Sequence, residues 1–271
     1  VTMKFRLMIG TLVATLLCAG AAPAAIDSGQ EFLQIVQQRV DRGELSVEDA
    51  LLLKFQYAFD RDKLPQDLQP QGKARLKCGT SLVREYLDLR DRLASDVIAT
   101  IETYLAPPAG EARLSHFSPS GLFRINYATT GGDAVPGEDA DGNYVPDFVE
   151  RVAEYLDYSL DFECNQLGFE TPPFQADSAY MSIYLADLDG VYGFTQPLSY
   201  PPGMTRITMD NDFIGYPPND DPDGNALGAA KVTAAHECKH STQYAGSRWS
   251  EDGWVEVDAT WMEEIAYPET N

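Results

Sequence analysis

Residues 234–244 read Ala-Ala-His-Glu-Cys-Lys-His-Ser-Thr-Gln-Tyr, and this stretch contains two of the three histidines in the 271-residue chain. The preceding residues 227–235 are rich in alanine and lack proline, which favours a helix. Helical side chains four residues apart lie on the same face, so His236 and His240 can offer two imidazoles to one metal ion. Glu237 lies beside that face, where its carboxylate can accept a proton from water at the metal. The spacing therefore predicts a zinc site, because zinc suits neutral imidazoles and a set of three protein ligands with one open position.

A site with two histidines needs a third protein ligand. The residues between 246 and 253 include glycine and serine and predict a turn, after which a second helix can fold back against the first. Glu256 lies near the start of that second segment. Glu263 follows two helical turns later on the same face and is the rival third ligand. The spacing favours Glu256, and a solvated helix face is the alternative interpretation of Glu263 and Glu264.

The motif and the segment after it carry a resemblance to known enzymes. Residues 236–240, followed by the pattern Trp-x-Glu-x-x-Ala-x-Trp-Met-Glu-Glu at 254–264, resemble the gluzincin metallopeptidases. The chain is more closely similar to a group of secreted metalloproteases from bacteria such as myxobacteria. The resemblance covers most of the chain after about residue 75, and it includes residues 117–127, 141–147 and 232–237.

This resemblance implies a zinc metalloendopeptidase that hydrolyses protein or peptide substrates with metal-activated water. It implies Glu256 as the third zinc ligand and Glu237 as the catalytic base. Val257 stands where gluzincins often carry a small residue, and Lys239 places a cation inside the motif, but neither change removes a ligand. Gluzincins usually close their cleft with a further carboxy-terminal lobe, so the resemblance implies that the domain ending at Asn271 is either truncated or a minimal form.

The sequence divides into three segments. Residues 1–25 are typical of a secretory signal, because a positively charged start precedes a short apolar run and a small-residue cleavage site. We therefore expect a secreted, extracellular or periplasmic protein with no stable membrane anchor after cleavage. Residues 26–110 have helical apolar spacing and end at Ala-Pro-Pro-Ala-Gly, so they form either a removable propeptide or an ordinary helical subdomain. Residues 111–271 are the predicted zincin-like metalloprotease domain.

The pattern after residue 110 predicts an α+β fold. Residues 122–127, 180–185 and 204–209 show the two-residue alternation and the β-branched or aromatic content of strands. Residues 147–167 read as an amphipathic helix. Strands followed by the metal helix are the order of a zincin-like lobe, in which a mixed sheet packs on the active-site helix and an edge strand can hold the substrate backbone.

An acidic loop before that helix predicts a calcium site. Oxygen ligands recur at alternate positions, with one backbone carbonyl among them, as in an EF-hand loop: Asp139, Asp141, Asn143, Val145 (backbone) and Asp147. Tyr144 replaces the glycine of the EF-hand pattern, so a shorter aspartate-rich calcium turn is favoured. The alternative is an Asx-turn that caps the helix without an ion.

Three cysteines remain after the predicted signal, an odd number for an exported protein. Cys238 lies within the metal helix and is most simply a small buried apolar residue. Cys78 and Cys164 are the candidate disulfide pair. A different hypothesis is that Cys78 supplies a thiolate to the zinc and keeps a zymogen latent.

The net charge of −22 disfavours nucleic acid and anionic membranes as partners. The competing class of function is a non-catalytic secreted calcium-binding interaction module with a structural metal or none. Glu237 argues against this class, because a purely structural metal site needs no base. Hydrolysis of a non-peptide amide would use the same metal chemistry and stays open.

Overall fold

The structure is a computed structural model that describes residues 28–70, 75–109, 112–174, 180–188 and 190–270. The predicted secretory signal at 1–25 lies outside the described residues. Within these ranges, none of the helices is both long enough and apolar enough to cross a membrane.

The carboxy-terminal part is built on a mixed five-stranded sheet in the order β1-β2-β3-β5-β4. β2, β3 and β5 are parallel to one another, and the outer strands β1 and β4 pair antiparallel with β2 and β5. The strands are β1 Leu114–Phe117, β2 Phe123–Tyr127, β3 Met181–Ala186, β4 Gly193–Pro197 and β5 Thr205–Asp210. The prediction of an α+β fold is confirmed at this level, and the three predicted strands are β2, β3 and β5.

The sequence analysis missed both edge strands. β4 starts at glycine and ends at proline, so its sequence resembles a turn more than a strand. β1 is mostly exposed and shows no apolar alternation. β1 is an outer strand with one paired neighbour and few buried side chains, so its apolar pattern is weak.

The helix that carries His236 and His240 lies at the centre of the carboxy-terminal part. The helices after residue 110 are α5 Asp147–Asp161, α6 Asn225–Ser247 and α7 Trp254–Ala266, and five residues of π-helix follow α5. α6 packs against β4, β5, α5 and α7. Its residues 228–243 are all buried, which is the pattern of a helix enclosed by other elements rather than of an amphipathic surface helix. The motif is therefore fixed in the middle of the core.

The amino-terminal region is helical, as predicted. Its helices are α1 Ser28–Asp41, α2 Val47–Phe59, α3 Thr80–Leu89 and α4 Ser95–Leu105. A short 3₁₀ turn at 90–92 separates α3 from α4, and Leu93 and Ala94 are extended before α4 begins. The side chains of these helices form one apolar cluster with residues near β4 and α7, including Val191, Phe194 and Val255.

Candidate metal centre

The two motif histidines point to one place, because α6 sets them one turn apart. Their rings are 4.7 Å apart between centroids, and His236 and His240 are 3% and 0% exposed. Buried imidazoles require partners for both ring nitrogens. The question is therefore what each nitrogen contacts.

Each histidine uses Nδ1 for a carbonyl or carboxylate oxygen of a neighbouring side chain. His236 Nδ1 lies 2.6 Å from Glu263 Oε1, and His240 Nδ1 lies 3.0 Å from Gln243 Oε1. The Gln243 amide nitrogen donates to the Val255 carbonyl oxygen, which orients Oε1 toward the ring. Acceptors opposite Nδ1 place the ring proton there and leave the Nε2 lone pairs for a metal, as in many metal sites.

Glu256 of α7 completes a set of three ligand atoms. Its carboxylate oxygens lie 3.4 Å from His236 Nε2 and 3.6 Å from His240 Nε2. A tetrahedral ion with bonds of about 2.0–2.3 Å holds its ligand atoms roughly 3.3–3.8 Å apart. His236 Nε2 and Glu256 Oε1 are buried without a hydrogen-bond partner. The residues fit a metal ion, because a cation would satisfy polar atoms that are otherwise costly to bury.

The electrostatic environment keeps His240 and Glu256 in the forms that bind a metal. Burial acts to lower the pKa of His236, but Cys78, Glu256 and Glu263 outweigh it and raise that pKa, so a metal would displace a proton from this ring. Burial lowers the pKa of His240, so the ring is neutral near pH 7. Burial acts to raise the pKa of Glu256, but the neighbouring imidazoles of His240 and His236 outweigh it and hold that pKa at about 2. A neutral imidazole and an ionised carboxylate are both ready to act as ligands.

Cys78 contributes a fourth ligand atom to the same cluster. Its Sγ lies 3.4 Å from His240 Nε2, and the possible ligand atoms of Cys78, His236, His240 and Glu256 all lie within 4.8 Å of one another. The Thr80 backbone N–H also donates to this sulfur. Within the described part of the chain, no second group of histidine, cysteine and acidic side chains meets this description.

The candidate disulfide between Cys78 and Cys164 is wrong, because both cysteines are free. Cys78 lies among the possible metal ligands with His236, His240 and Glu256. Cys164 lies on the π-helical turn after α5. Cys238 is also free and only 1% exposed, so the prediction of a small buried apolar residue is confirmed.

Glu237 lies next to the metal cluster and is fully buried. One carboxylate oxygen accepts hydrogen bonds from Thr195 Oγ1 at 2.7 Å and Thr80 Oγ1 at 3.1 Å. The other lies 3.3 Å from Cys78 Sγ. Thr195 belongs to β4, so the sheet edge and the proposed base are directly connected.

Glu263, the rival third ligand, faces the opposite nitrogen of His236. Its second oxygen accepts from Lys77 Nζ at 2.6 Å, and its side chain is 2% exposed. Glu263 is therefore not on a solvated helix face. It orients His236 from behind, whereas Glu264 is exposed.

These positions predict different results for the two carboxylates. Glu263→Gln should keep the site but lower zinc affinity by about 10–100-fold, because the amide orients His236 less firmly. Glu256→Gln should lower the affinity more, because it replaces an anionic ligand. Competition titration with a chromogenic zinc chelator measures both, with Glu264→Gln as the matched control. If Glu263→Gln loses more zinc affinity than Glu256→Gln, then Glu263 is the ligand and the assignment of Glu256 is wrong.

The predicted calcium loop folds on itself. The two Asp139 oxygens accept the backbone N–H groups of Gly142, Asn143 and Tyr144. Asp141 and Asn143 each accept an N–H two residues later, and Asp147 accepts the Ala140 N–H. Tyr144 takes the left-handed conformation (φ +69°) at the position where an EF-hand has glycine. The bonds are those of Asx-turns, and calcium binding at this loop stays a prediction.

Three residues that support the site were missed by the sequence analysis: Thr80, Thr195 and Gln243. Gln243 lies three residues after His240, a spacing at which helical side chains meet, so its contact was readable from the sequence. Thr80 and Thr195 come from distant segments and carry no local signal.

Comparison with known proteins gave no matching family model, no matching curated protein and no matching solved structure.

Proposed function

We propose that this chain is an exported zinc-dependent metalloendopeptidase with a zincin-like lobe of the gluzincin type. His236, His240 and Glu256 would hold the ion, and Glu237 would act as the base. One observation carries the proposal. The Glu256 carboxylate lies 3.4 Å from His236 Nε2 and 3.6 Å from His240 Nε2. His236 Nε2 and Glu256 Oε1 are buried without a hydrogen-bond partner, and a further buried carboxylate, Glu237, lies beside them.

A bound zinc ion would polarise the scissile carbonyl and lower the pKa of a water molecule. The protein supplies the proton transfer. Glu237 can accept a proton on the oxygen that now faces Cys78 and can deliver it to the leaving amine. Its other oxygen is fixed by Thr195, which orients the carboxylate.

β4 provides a place for a peptide substrate. It is the last strand of the sheet, and it lies directly beside Glu237 through Thr195. An extended peptide can add to such an edge with backbone hydrogen bonds, which favours protein or peptide substrates. The net charge of −22 disfavours nucleic acid as a partner.

A four-ligand site can instead be structural, because structural zinc sites are closed and catalytic ones keep a position open. Glu237 favours catalysis, since a structural ion gains nothing from a buried carboxylate beside it. The non-catalytic calcium-binding module offers no reason for this arrangement. We therefore retain the peptidase as the proposed function.

Casein hydrolysis tests the proposal. Because Cys78 Sγ lies among the ligand atoms, the assay compares the wild-type chain with Cys78→Ser, each loaded with zinc. Hydrolysis by either chain that is lost with 1,10-phenanthroline and restored by zinc is the expected result. If neither chain hydrolyses casein or a mixed peptide library while zinc is bound, even after limited proteolysis in the exposed segment 106–109, the proposal is overturned.

A further inference from the structure

The segment immediately before α3 occupies the free edge of β4. The Gly79 backbone N–H donates to the Gly193 carbonyl oxygen at 2.9 Å, and the Thr195 N–H donates to Thr80 Oγ1 at 2.8 Å. Three residues before Gly79, the Leu76 N–H donates to the carbonyl oxygen of Gly190, which precedes β4, at 2.8 Å. These are the edge groups that an added peptide strand would use. Residues 76–80 therefore fill the position of a substrate backbone.

The same segment also occupies the space beside the possible metal ligands and Glu237. Cys78 Sγ takes the fourth position among the ligand atoms and contacts the Glu237 oxygen that would accept the proton. Thr80 Oγ1 donates to the other Glu237 oxygen. The gap lined by Lys77, His236 and Glu237 among others has a cavity volume of about 0 Å³, so it does not hold even a water molecule. Small ligand pockets measure roughly 300 Å³ or more, so a peptide cannot enter while the segment is in place.

An ion pair and close packing also hold residues 76–80 in place. Lys77 Nζ pairs with Glu263, the carboxylate that orients His236. Gly79 lies so close to β4 that an added Cβ would come within 3.1 Å of the Phe194 Cβ. The segment thus fits closely along the strand edge.

We propose that the amino-terminal helical region is a latency propeptide, and that Cys78 closes the metal centre as a removable fourth ligand. This inference rests on the proposed function. Withdrawal of residues 76–80 would free the β4 edge, release both oxygens of Glu237 and open the fourth position at once. The linker after α4, residues 106–109, lacks regular structure and is largely exposed, so a protease can cut there.

A thiolate ligand has a spectroscopic signature that does not depend on activity. The full chain is loaded with Co²⁺ in place of zinc, and the near-ultraviolet absorption is recorded for the wild type, Cys78→Ser and Cys164→Ser. We expect a sulfur-to-cobalt charge-transfer band in the wild type and in Cys164→Ser, and no such band in Cys78→Ser. Cys164 is a matched control because it is free and outside the cluster.

The zinc-loaded forms are then assayed on a casein-derived fluorogenic peptide. Each form is assayed before and after cleavage of the exposed linker 106–109, because Cys78→Ser alone leaves residues 76–80 on β4. If the segment blocks more than nine sites in ten, the cleaved chains should hydrolyse the peptide at least about tenfold faster than the uncleaved wild type with zinc still bound. Cobalt binding without the band in the wild type overturns the inference and leaves the peptidase proposal intact. A band together with zinc loss in Cys78→Ser also overturns it, because Cys78 is then a structural ligand. If Cys78→Ser keeps zinc after cleavage of the linker 106–109 but hydrolyses no peptide, the peptidase proposal fails instead.

Discussion

Glu237→Gln is expected to lower peptide hydrolysis by about 10²–10⁴-fold while zinc remains bound, which is the usual contribution of a general acid–base group. The amide can keep the hydrogen bond from Thr195 through its carbonyl oxygen, so the local packing should survive. It cannot accept a proton at neutral pH. The measurement is kcat/KM on a fluorogenic peptide, with zinc content determined on the same samples.

Two choices make this test specific. The substitution is introduced into the more active of the wild-type and Cys78→Ser chains, so that the covering segment does not hide the effect. Glu264→Gln, an exposed carboxylate on α7, is the matched control and should leave the rate unchanged. Glu237→Gln protein that keeps zinc and more than a tenth of the rate would show that Glu237 is not the base.

Zinc is expected to stabilise the folded chain, and His240→Ala is expected to abolish this effect. A ligand at 100 times its dissociation constant stabilises by about 2.7 kcal/mol, which corresponds to about 5–10 °C in Tm for a domain of this size. His240 is fully buried, and its Nε2 has the Glu256 carboxylate and Cys78 Sγ as near neighbours. Its removal should therefore leave a chain whose Tm no longer responds to zinc or to chelators. Differential scanning calorimetry with and without zinc measures the difference.

The third histidine provides the control for this prediction. His116 lies on β1, paired across the sheet with Ile125 and outside the metal cluster. His116→Ala should respond to zinc as the wild type does. An equal zinc-induced shift in His240→Ala would mean that the ion binds elsewhere.

Part of the fold was readable from local pattern. α6 was predicted because alanine-rich sequence and histidines four apart both fit a helix. β2, β3 and β5 were predicted from their two-residue alternation and their β-branched or aromatic residues. β4 was missed although it borders the site. Its role depends on its position at the sheet edge, and position is set by pairing with β5 rather than by the residues of β4 itself.

In the candidate site, too, local spacing predicted some residues, whereas the roles of others depend on contacts between distant parts of the chain. Glu256 and Glu263 lie two turns apart on one helix face, and the spacing favoured Glu256 as the ligand but assigned no role to Glu263. The structure separates them because His236 presents Nε2 to Glu256 and Nδ1 to Glu263. Cys78 meets Glu237 across 159 residues of sequence, and a contact of that range leaves no periodic signal. Its approach follows from the docking of 76–80 on β4.

Zinc K-edge X-ray absorption on the purified full chain tests the central claim most directly. The account predicts one zinc per chain, with nitrogen and oxygen neighbours at about 2.0–2.1 Å and one sulfur neighbour at about 2.3 Å. It predicts that Cys78→Ser loses only the sulfur and that His240→Ala loses the ion. A chain that takes up no zinc under metal-replete conditions, or a zinc spectrum unchanged by His240→Ala, would contradict it.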